Sequence, residues 1–320
     1  MNPTNYARIL GTGSYLPETV LTNQELEQKI DTTDEWIVQR TGIRSRHIAS
    51  KTDTTASMGI MAAQRALEAA GCDAASIDLI LVATATPDQI FPAVACRIQA
   101  ALGAHKAAAF DLQAACSGFV YALSVADQFI KTGHYQRILV IGSETLSRIT
   151  NWHDRGTCIL FGDGAGAVVL GASAEPGIID TQLFADGREG DTLYADNWHN
   201  CALEQPYIYM AGNRVFKLAV SALDDLVVGM CKKHHLTDAN IDWIVPHQAN
   251  IRILQATADR LGVSMDKVVC TLAEQGNTSA ASIPLALDAA VRDGRIQRGH
   301  RLLLESFGGG LTWAAALIIY

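Results

Sequence analysis

Apolar positions along this chain fall into two alternating rhythms. Near-continuous apolar runs at Ala7 to Gly11, Ile77 to Ala83, Lys106 to Leu112 and Arg137 to Gly142 read as strands. Between them, Thr54 to Ala70 and Ala93 to Leu102 carry apolar residues at helical spacing, and the first stops at Gly71. A further helix should begin near Ser117 and run to Thr132. The β-α-β-α-β order predicts a mostly parallel sheet with helices over both faces. Ahead of it, Asn23 to Ile30 reads as a short helix capped by Thr22 or Asn23.

The second half repeats this pattern. Ile241-Asp242-Trp-Ile-Val245 answers Ile77-Asp78-Leu-Ile-Leu81, and Arg301-Leu-Leu-Leu304 answers Arg137-Ile-Leu-Val140. In this alignment Asn277 falls opposite Cys116, each just before a helix, Ser279 to Val291 in the second half, and His247 follows the strand matching the one that ends at Thr84. A duplicated α/β unit places such groups near a pseudo-twofold axis, at the C-terminal strand edges. The expected halves are residues 1–174, with the cysteine, and 175–320, with the histidine and asparagine.

Two glycine-rich stretches need a separate reading. Gly11-Thr-Gly13 resembles the start of a dinucleotide fingerprint, but Pro17 stands where its helix should run. Gly162 to Gly166 passes into the β-branched run ending at Leu170, which fits close strand packing better than phosphate binding.

Composition narrows the function. A chain of 320 residues with 49% apolar content can bury a large core. No stretch of about eighteen apolar residues occurs, and the start, Met1 to Arg8, has no basic and then apolar leader, so a cytoplasmic protein is expected. Seven scattered cysteines without a C-x-x-C pair argue against disulfides and structural zinc, and no metal is assigned. A formal charge of −8 offers no general attraction for nucleic acid or an anionic membrane.

Cys116 lies where a strand meets a helix. There the unpaired N–H groups and the positive helix end should favour thiolate, and Ala114, Ala115, Ser117 and Gly118 leave room for a ligand. With His247 and Asn277 beside it, the thiolate could attack a thioester carbonyl while imidazole and amide N–H groups hold an enolate oxygen. Gly308-Gly-Gly310 offers backbone N–H groups to a reacting oxygen. Trp36 and Arg40 are four apart on one helix face, which suits a flat base with phosphates; a core tryptophan and a solvated arginine would share that spacing.

Six motifs, in this order, make the chain similar to the β-ketoacyl-[acyl-carrier-protein] synthase III family of the thiolase superfamily. They are Asp34-Glu-Trp-Ile-Val-Gln-Arg-Thr-Gly-Ile43, Gln113-Ala-Ala-Cys-Ser-Gly118, Asn151-Trp-His-Asp-Arg-Gly-Thr157, Pro246-His-Gln-Ala-Asn250, Gly276-Asn-Thr-Ser-Ala-Ala-Ser-Ile-Pro284 and Phe307-Gly-Gly-Gly310. The Phe307–Gly310 loop has no thiolase-type second cysteine. Asn277 stands where elongating condensing enzymes carry a second histidine.

The resemblance implies a thiolase-like α/β fold layered α-β-α-β-α. It implies condensation of a short acyl-CoA, acetyl-CoA above all, with malonyl-[acyl-carrier-protein] in a cytoplasmic homodimer without a cofactor. Cys116, His247 and Asn277 would be catalytic, with backbone N–H groups of Cys116 and Gly309 as the oxyanion hole. Trp36 and Arg155 would sandwich the adenine of coenzyme A. Thr32, Arg40, Gly156, Asn213, Asn250 and Arg252 would line its phosphate and pantetheine path. Phe91 would close the partner's acyl pocket, and Lys217 with Arg252 would receive the carrier protein, although Asp259 beside Arg260 weakens that basic surface. The same residues leave open a sibling condensing enzyme of a secondary or polyketide pathway, a cysteine thioesterase, and a non-catalytic CoA-binding module.

Overall fold

The computed structural model describes residues 6–197 and 206–320; Met1 to Asn5 and Cys201 lie outside them. The first half runs β1 (Tyr6–Tyr15), β2 (Thr19–Thr22), α1 (Asn23–Glu27), α2 (Asp34–Thr41), β3 (Ser45–Ile48), α3 (Thr55–Ala70), β4 (Leu79–Ala83), α4 (Val94–Leu102), β5 (Ala108–Leu112), α5 (Gly118–Lys131), β6 (Arg137–Thr145) and β7 (Asp163–Ser173). Then follow β8 (Ile178–Ala185), β9 (Leu193–Ala195), β10 (Ile208–Met210), α6 (Gly212–His234), β11 (Trp243–Pro246), α7 (Ile251–Leu261), α8 (Leu272–Gln275), α9 (Ser282–Arg292), β12 (Arg301–Gly308) and β13 (Thr312–Ile319).

Two sheets carry the repeat. The first has the order β1-β7-β6-β4-β5 and the second β11-β12-β13-β8, so β8, β13, β12 and β11 answer β1, β7, β6 and β4. The counterpart of β5 is reduced to one parallel bridge between Ile244 and Val268. Matching aspartates mark the repeat: Asp78 accepts the Arg137 N–H at 2.9 Å, and Asp242 accepts the Arg301 N–H at 2.7 Å. The expectation of a mostly parallel sheet needs correction. β4 runs parallel to β5 and β6, but β7 is antiparallel to both β6 and β1. The chain returns from β6 to β7 without the crossover helix that parallel strands need.

Alternation within the strands builds the layers. Leu79, Leu81 and Ala83 face a central core with Leu302, Leu304, Ala314 and Ala316, whereas Ile80 and Val82 face an outer one. α5 and α9 fill the space between the sheets; α3 and α4 cover the outer face of the first, and α6 and α7 that of the second. The five layers are therefore α-β-α-β-α, with apolar residues on both faces of each sheet. Gly11 and Gly13 serve this packing: a Cβ on either would lie 2.4 or 2.3 Å from a backbone nitrogen of α3. A smaller cap of α1, α2 and the 146–161 loop forms its own cluster around Ile37, Ile159 and Phe161.

Between the sheets two turns meet. The 3₁₀ turn Ala115–Ser117 leads into α5, and Ser279–Ala281 leads into α9. Both open on a left-handed residue, Ala115 at φ +44° and Ser279 at φ +49°. Equivalent bonds close them, Ser117 N–H to Ala114 O and Ala281 N–H to Thr278 O, each 3.0 Å. This register sets Cys116 opposite Ala280, so the sequence pairing of Cys116 with Asn277 was three residues off. Asn277 sits before its turn rather than in it.

Candidate active site

The two turns and the end of β11 converge on one cavity of about 320 Å³. Cys116, His247 and Asn277 line it together with Trp36, Arg40, Arg155, Gly156, Asn213, Asn250 and Arg252. Residues far apart in sequence thus share one apolar-walled tunnel, the usual form of a small-molecule site. Thr32 is not among its lining residues; its hydroxyl is buried without a partner, while Thr33 caps α2.

Backbone packing aims the three reactive side chains. The end of β12 passes so close to Cys116 that a Cβ on Gly308 would lie 2.7 Å from the Cys116 nitrogen. His247 Nδ1 is 2.6 Å from the Ser282 hydroxyl, which leaves Nε2 for the cavity. Asn277 Oδ1 accepts the Ser279 N–H at 2.9 Å, so the amide NH₂ is the group left to donate.

Electrostatics correct one expectation. Cys116 is only 8% exposed, and burial pushes its thiol up to about 12, against the opposing contact of the Ser279 hydroxyl. The helix end therefore does not make a resting thiolate, because desolvation of a buried charge outweighs a terminal dipole. Burial also pushes His247 down to about 3, so its imidazole is neutral. A neutral ring with one N–H is a hydrogen-bond donor.

At the mouth, Trp36 is the centre of an aromatic and cationic cluster. The Arg40 and Arg155 guanidinium carbons lie 4.6 and 4.8 Å from its ring centroid. Asn250 caps α7 and donates from Nδ2 to Arg40 O at 3.0 Å, and Arg252 donates to Gln39 O at 3.4 Å. Lys217 is exposed on α6. Asp259 accepts from Gln255 at 2.8 Å, and Arg260 faces Asp224 at 3.6 Å.

On the other side of Cys116 opens a second cavity of about 990 Å³, lined by Ile90, Leu146, Ile149, Ile208, Gly309 and Gly310 among others. Gly309 belongs to this side, beside the nucleophile's backbone. Phe91 is 83% exposed and does not line either cavity of its own chain.

Residues 110–187 match the family described as 3-Oxoacyl-[acyl-carrier-protein (ACP)] synthase III, and residues 231–320 match its C-terminal counterpart. A β-ketoacyl-[acyl-carrier-protein] synthase III of Thiobacillus denitrificans is 59% identical over 317 residues, which cover 98% of this chain and 99% of the relative. The chain belongs to the β-ketoacyl-[acyl-carrier-protein] synthase III family. Among solved structures, the synthase III of Aquifex aeolicus VF5 superposes with a TM-score of 0.94 at 45% identity, covering 98% of this chain and 100% of that one. The priming β-ketosynthase of the R1128 polyketide pathway superposes at 0.93 with 40% identity, covering 100% and 98%. The family and the thiolase-like fold expected from the six motifs are both borne out.

Several groups of this synthase III site escaped the sequence reading. Ser279 and Ser282 lie inside a quoted motif, but only the fold shows that they hold Asn277 and His247. Glu305 lines the tunnel at 1% exposure; burial pushes it up to about 7, and its Oε2 has no hydrogen-bond partner. Glu144 is wholly buried at the end of β6, where burial likewise pushes it up to about 7. An acidic residue closing an apolar strand was the available signal for both. Among the described residues, no cluster of histidine, cysteine and carboxylate could hold a metal.

Proposed function

We propose that this chain condenses an acyl-CoA starter with malonyl-[acyl-carrier-protein], giving 3-oxoacyl-[acyl-carrier-protein], CoA and CO₂ in fatty-acid synthesis. The observation that carries the reading is a single tunnel with Cys116, His247 and Asn277 at its floor and Trp36, Arg40, Arg155 and Arg252 at its mouth. The Cys116 sulfur attacks the thioester carbonyl and CoA leaves, with backbone N–H groups of Cys116 and Gly309 stabilising the oxyanion. The malonyl thioester then enters the same tunnel. Its carboxylate departs as CO₂ while His247 and Asn277 donate to the thioester oxygen, and the resulting carbanion attacks the acyl-cysteine.

Trp36 and Arg155 are assigned to the adenine. At 4.8 Å they leave no room for a ring between them, since stacking on both faces needs about 7 Å. Arg155 swings outward as the base enters. Gly156, Asn213 and Asn250 follow the pantetheine path, Thr32 lies outside it, and Lys217 with Arg252 receives the acidic carrier protein.

A homodimer suits the exposed edge of the first sheet. Phe110 on edge strand β5 is 40% exposed, and Ile90 and Phe91 are 68% and 83% exposed. A second copy paired there would cover them and bring one chain's Phe91 to the other's acyl cavity. We assign the short starter, acetyl-CoA, to that closed cavity, the halves to residues 1–174 and 175–320, and the protein to the cytoplasm. No helix among the described residues is long and apolar enough to cross a membrane.

Intact-mass spectrometry with a panel of acyl-CoAs, followed by malonyl carrier protein, tests the reading. A stable acyl adduct on Cys116 that converts to 3-oxoacyl carrier protein is expected. Release of free acid would make the chain a thioesterase, and a preference for an unusual starter would place it beside the polyketide-priming relative.

A further inference from the structure

Under the condensing reading, Cys116 must lose a proton to attack and regain one when it is expelled. The resting thiol is buried, and His247 is badly placed to take that proton. The Ser282 hydroxyl lies 2.6 Å from His247 Nδ1, while the Ser282 oxygen is approached by the Gln248 N–H at 3.4 Å. With the hydroxyl hydrogen directed at Nδ1, the imidazole carries its only proton on Nε2 and faces the tunnel as a donor. A ring already protonated on that side is no base.

Cys116 has another polar neighbour. The Ser279 hydroxyl contacts both the Cys116 thiol and the Glu144 carboxyl. Ser279 is 3% exposed and is held in a left-handed conformation that residues with side chains seldom adopt. Gly142 makes room for the turn, since a Cβ there would lie 2.2 Å from Ala280 O. Glu144 is fixed by Thr86 Oγ1 at 2.5 Å, Thr84 Oγ1 at 3.2 Å and the Ala85 N–H at 3.1 Å. None of its bonds comes from a lysine or arginine.

We propose that Glu144, acting through the Ser279 hydroxyl, is the base that deprotonates Cys116 and the acid that later returns its proton. At attack, the thiol proton moves to the Ser279 oxygen while the Ser279 proton moves to the Glu144 carboxylate. The sulfur forms its bond to the acyl carbon, the bond to CoA breaks, and the CoA thiolate takes a proton from water. After decarboxylation the carbanion displaces Cys116, and the proton held on Glu144 returns to the sulfur by the same route. Over the cycle one proton is taken from solvent and one CO₂ is released.

The relay moves the negative charge between two buried sites without creating a second one. Burial, opposed by the Thr86, Ala85, Ser279 and Thr84 contacts, brings Glu144 to about 7, where it can both accept and release a proton near neutrality. Around it stand the Cys116 thiol from the turn before α5, the Ser279 hydroxyl from the turn before α9, and Thr84, Ala85 and Thr86 from the loop after β4.

Rapid-quench intact-mass measurement of a single acylation turnover by acetyl-CoA, from pH 5.5 to 9, tests the proposal on the full chain. The wild-type rate should rise with pH along a limb near 7. Glu144→Gln and Ser279→Ala should each slow acylation about 10²-fold and flatten that limb, and the double variant should be no slower than either single one. Glu144→Asp should restore the limb. Release of labelled CO₂ from malonyl carrier protein, which relies on His247 and Asn277, should fall far less in each variant and so reports an intact fold. Wild-type acylation with an unaltered limb in Glu144→Gln would overturn the relay. So would equal loss of both half-reactions in Glu144→Gln and Glu144→Asp, which would reduce Glu144 to a packing group. Failure of Cys116 to acylate in the wild type would instead overturn the condensing reading.

Discussion

The turn before α5 and the turn before α9 have one backbone and two chemistries. Each opens on a left-handed residue, closes with a 3.0 Å bond and feeds a helix between the sheets. In the first, the middle position is Cys116; in the second it is Ala280, and polar groups flank it at Asn277, Ser279 and Ser282. Duplication therefore supplied the geometry, and side-chain divergence divided the labour. One half offers a nucleophile, and the other offers the donors that hold the second substrate's oxygen. A single turn could not do both, because a nucleophile needs the attacking face that a donor pair would fill.

Breaking each side separately should give opposite losses. The largest is expected from Cys116→Ala: acylation by acyl-CoA should fall by on the order of 10⁴-fold or more, while some malonyl decarboxylation survives on His247 and Asn277. Intact mass and labelled CO₂ follow the two half-reactions. If decarboxylation fell as far as acylation, the division between turns would be wrong.

Asn277→Ala should show the reverse. Removing one oriented donor costs on the order of 10²-fold to 10³-fold in the step it serves, here CO₂ release, with acylation of Cys116 retained. A neutral amide is no base, so lost acylation with normal CO₂ release would contradict its assignment.

The contact between the turns can be strained directly. A Cβ on Gly142 would lie 2.2 Å from Ala280 O and 2.7 Å from its carbon, both backbone atoms that cannot swing aside. Gly142→Ala should therefore destabilise the fold by about 3 kcal/mol, seen as a drop of several degrees in Tm, and slow both half-reactions. An unchanged Tm would mean that the turns are not pressed together as described.

The smallest effect separates the two buried carboxyls. Glu144 has hydroxyl and amide donors, whereas Glu305 has one bond, from the Thr257 hydroxyl at 3.3 Å, and an unpaired Oε2. Burial raises Glu305 from 4.5 to about 7, so its stability contribution is complete below about 4.5 and is lost as pH rises through about 7. His247 has the opposite sign: lowered from 6.5 to about 3, its contribution is present above 6.5 and lost as pH falls toward 3. Glu305→Gln should thus gain stability over wild type at pH 8.5 relative to pH 5, by at most about 3 kcal/mol. Glu144→Gln should gain less, since its donors already satisfy a carboxylate. Thermal melts at the two pH values decide it, and an equal gain would remove the distinction.

Strands, helices and the nucleophile were legible in the sequence because they are local. Period-two and period-3.6 patterns depend only on which face is buried, and caps such as Thr54 and Gly71 depend on a few neighbouring residues. The repeat was legible too, since Asp78 and Asp242 do the same work in both halves. What the sequence could not determine depends on contacts between distant segments. The antiparallel return of β7, the three-residue offset between Cys116 and Asn277, and the positions of Ser279, Ser282, Glu144 and Glu305 all arise where the two sheets meet. The same holds for the protonation of Cys116. A helix end nearby in the sequence argued for thiolate, but burial is a property of the whole fold, and desolvating a charge outweighs a terminal dipole.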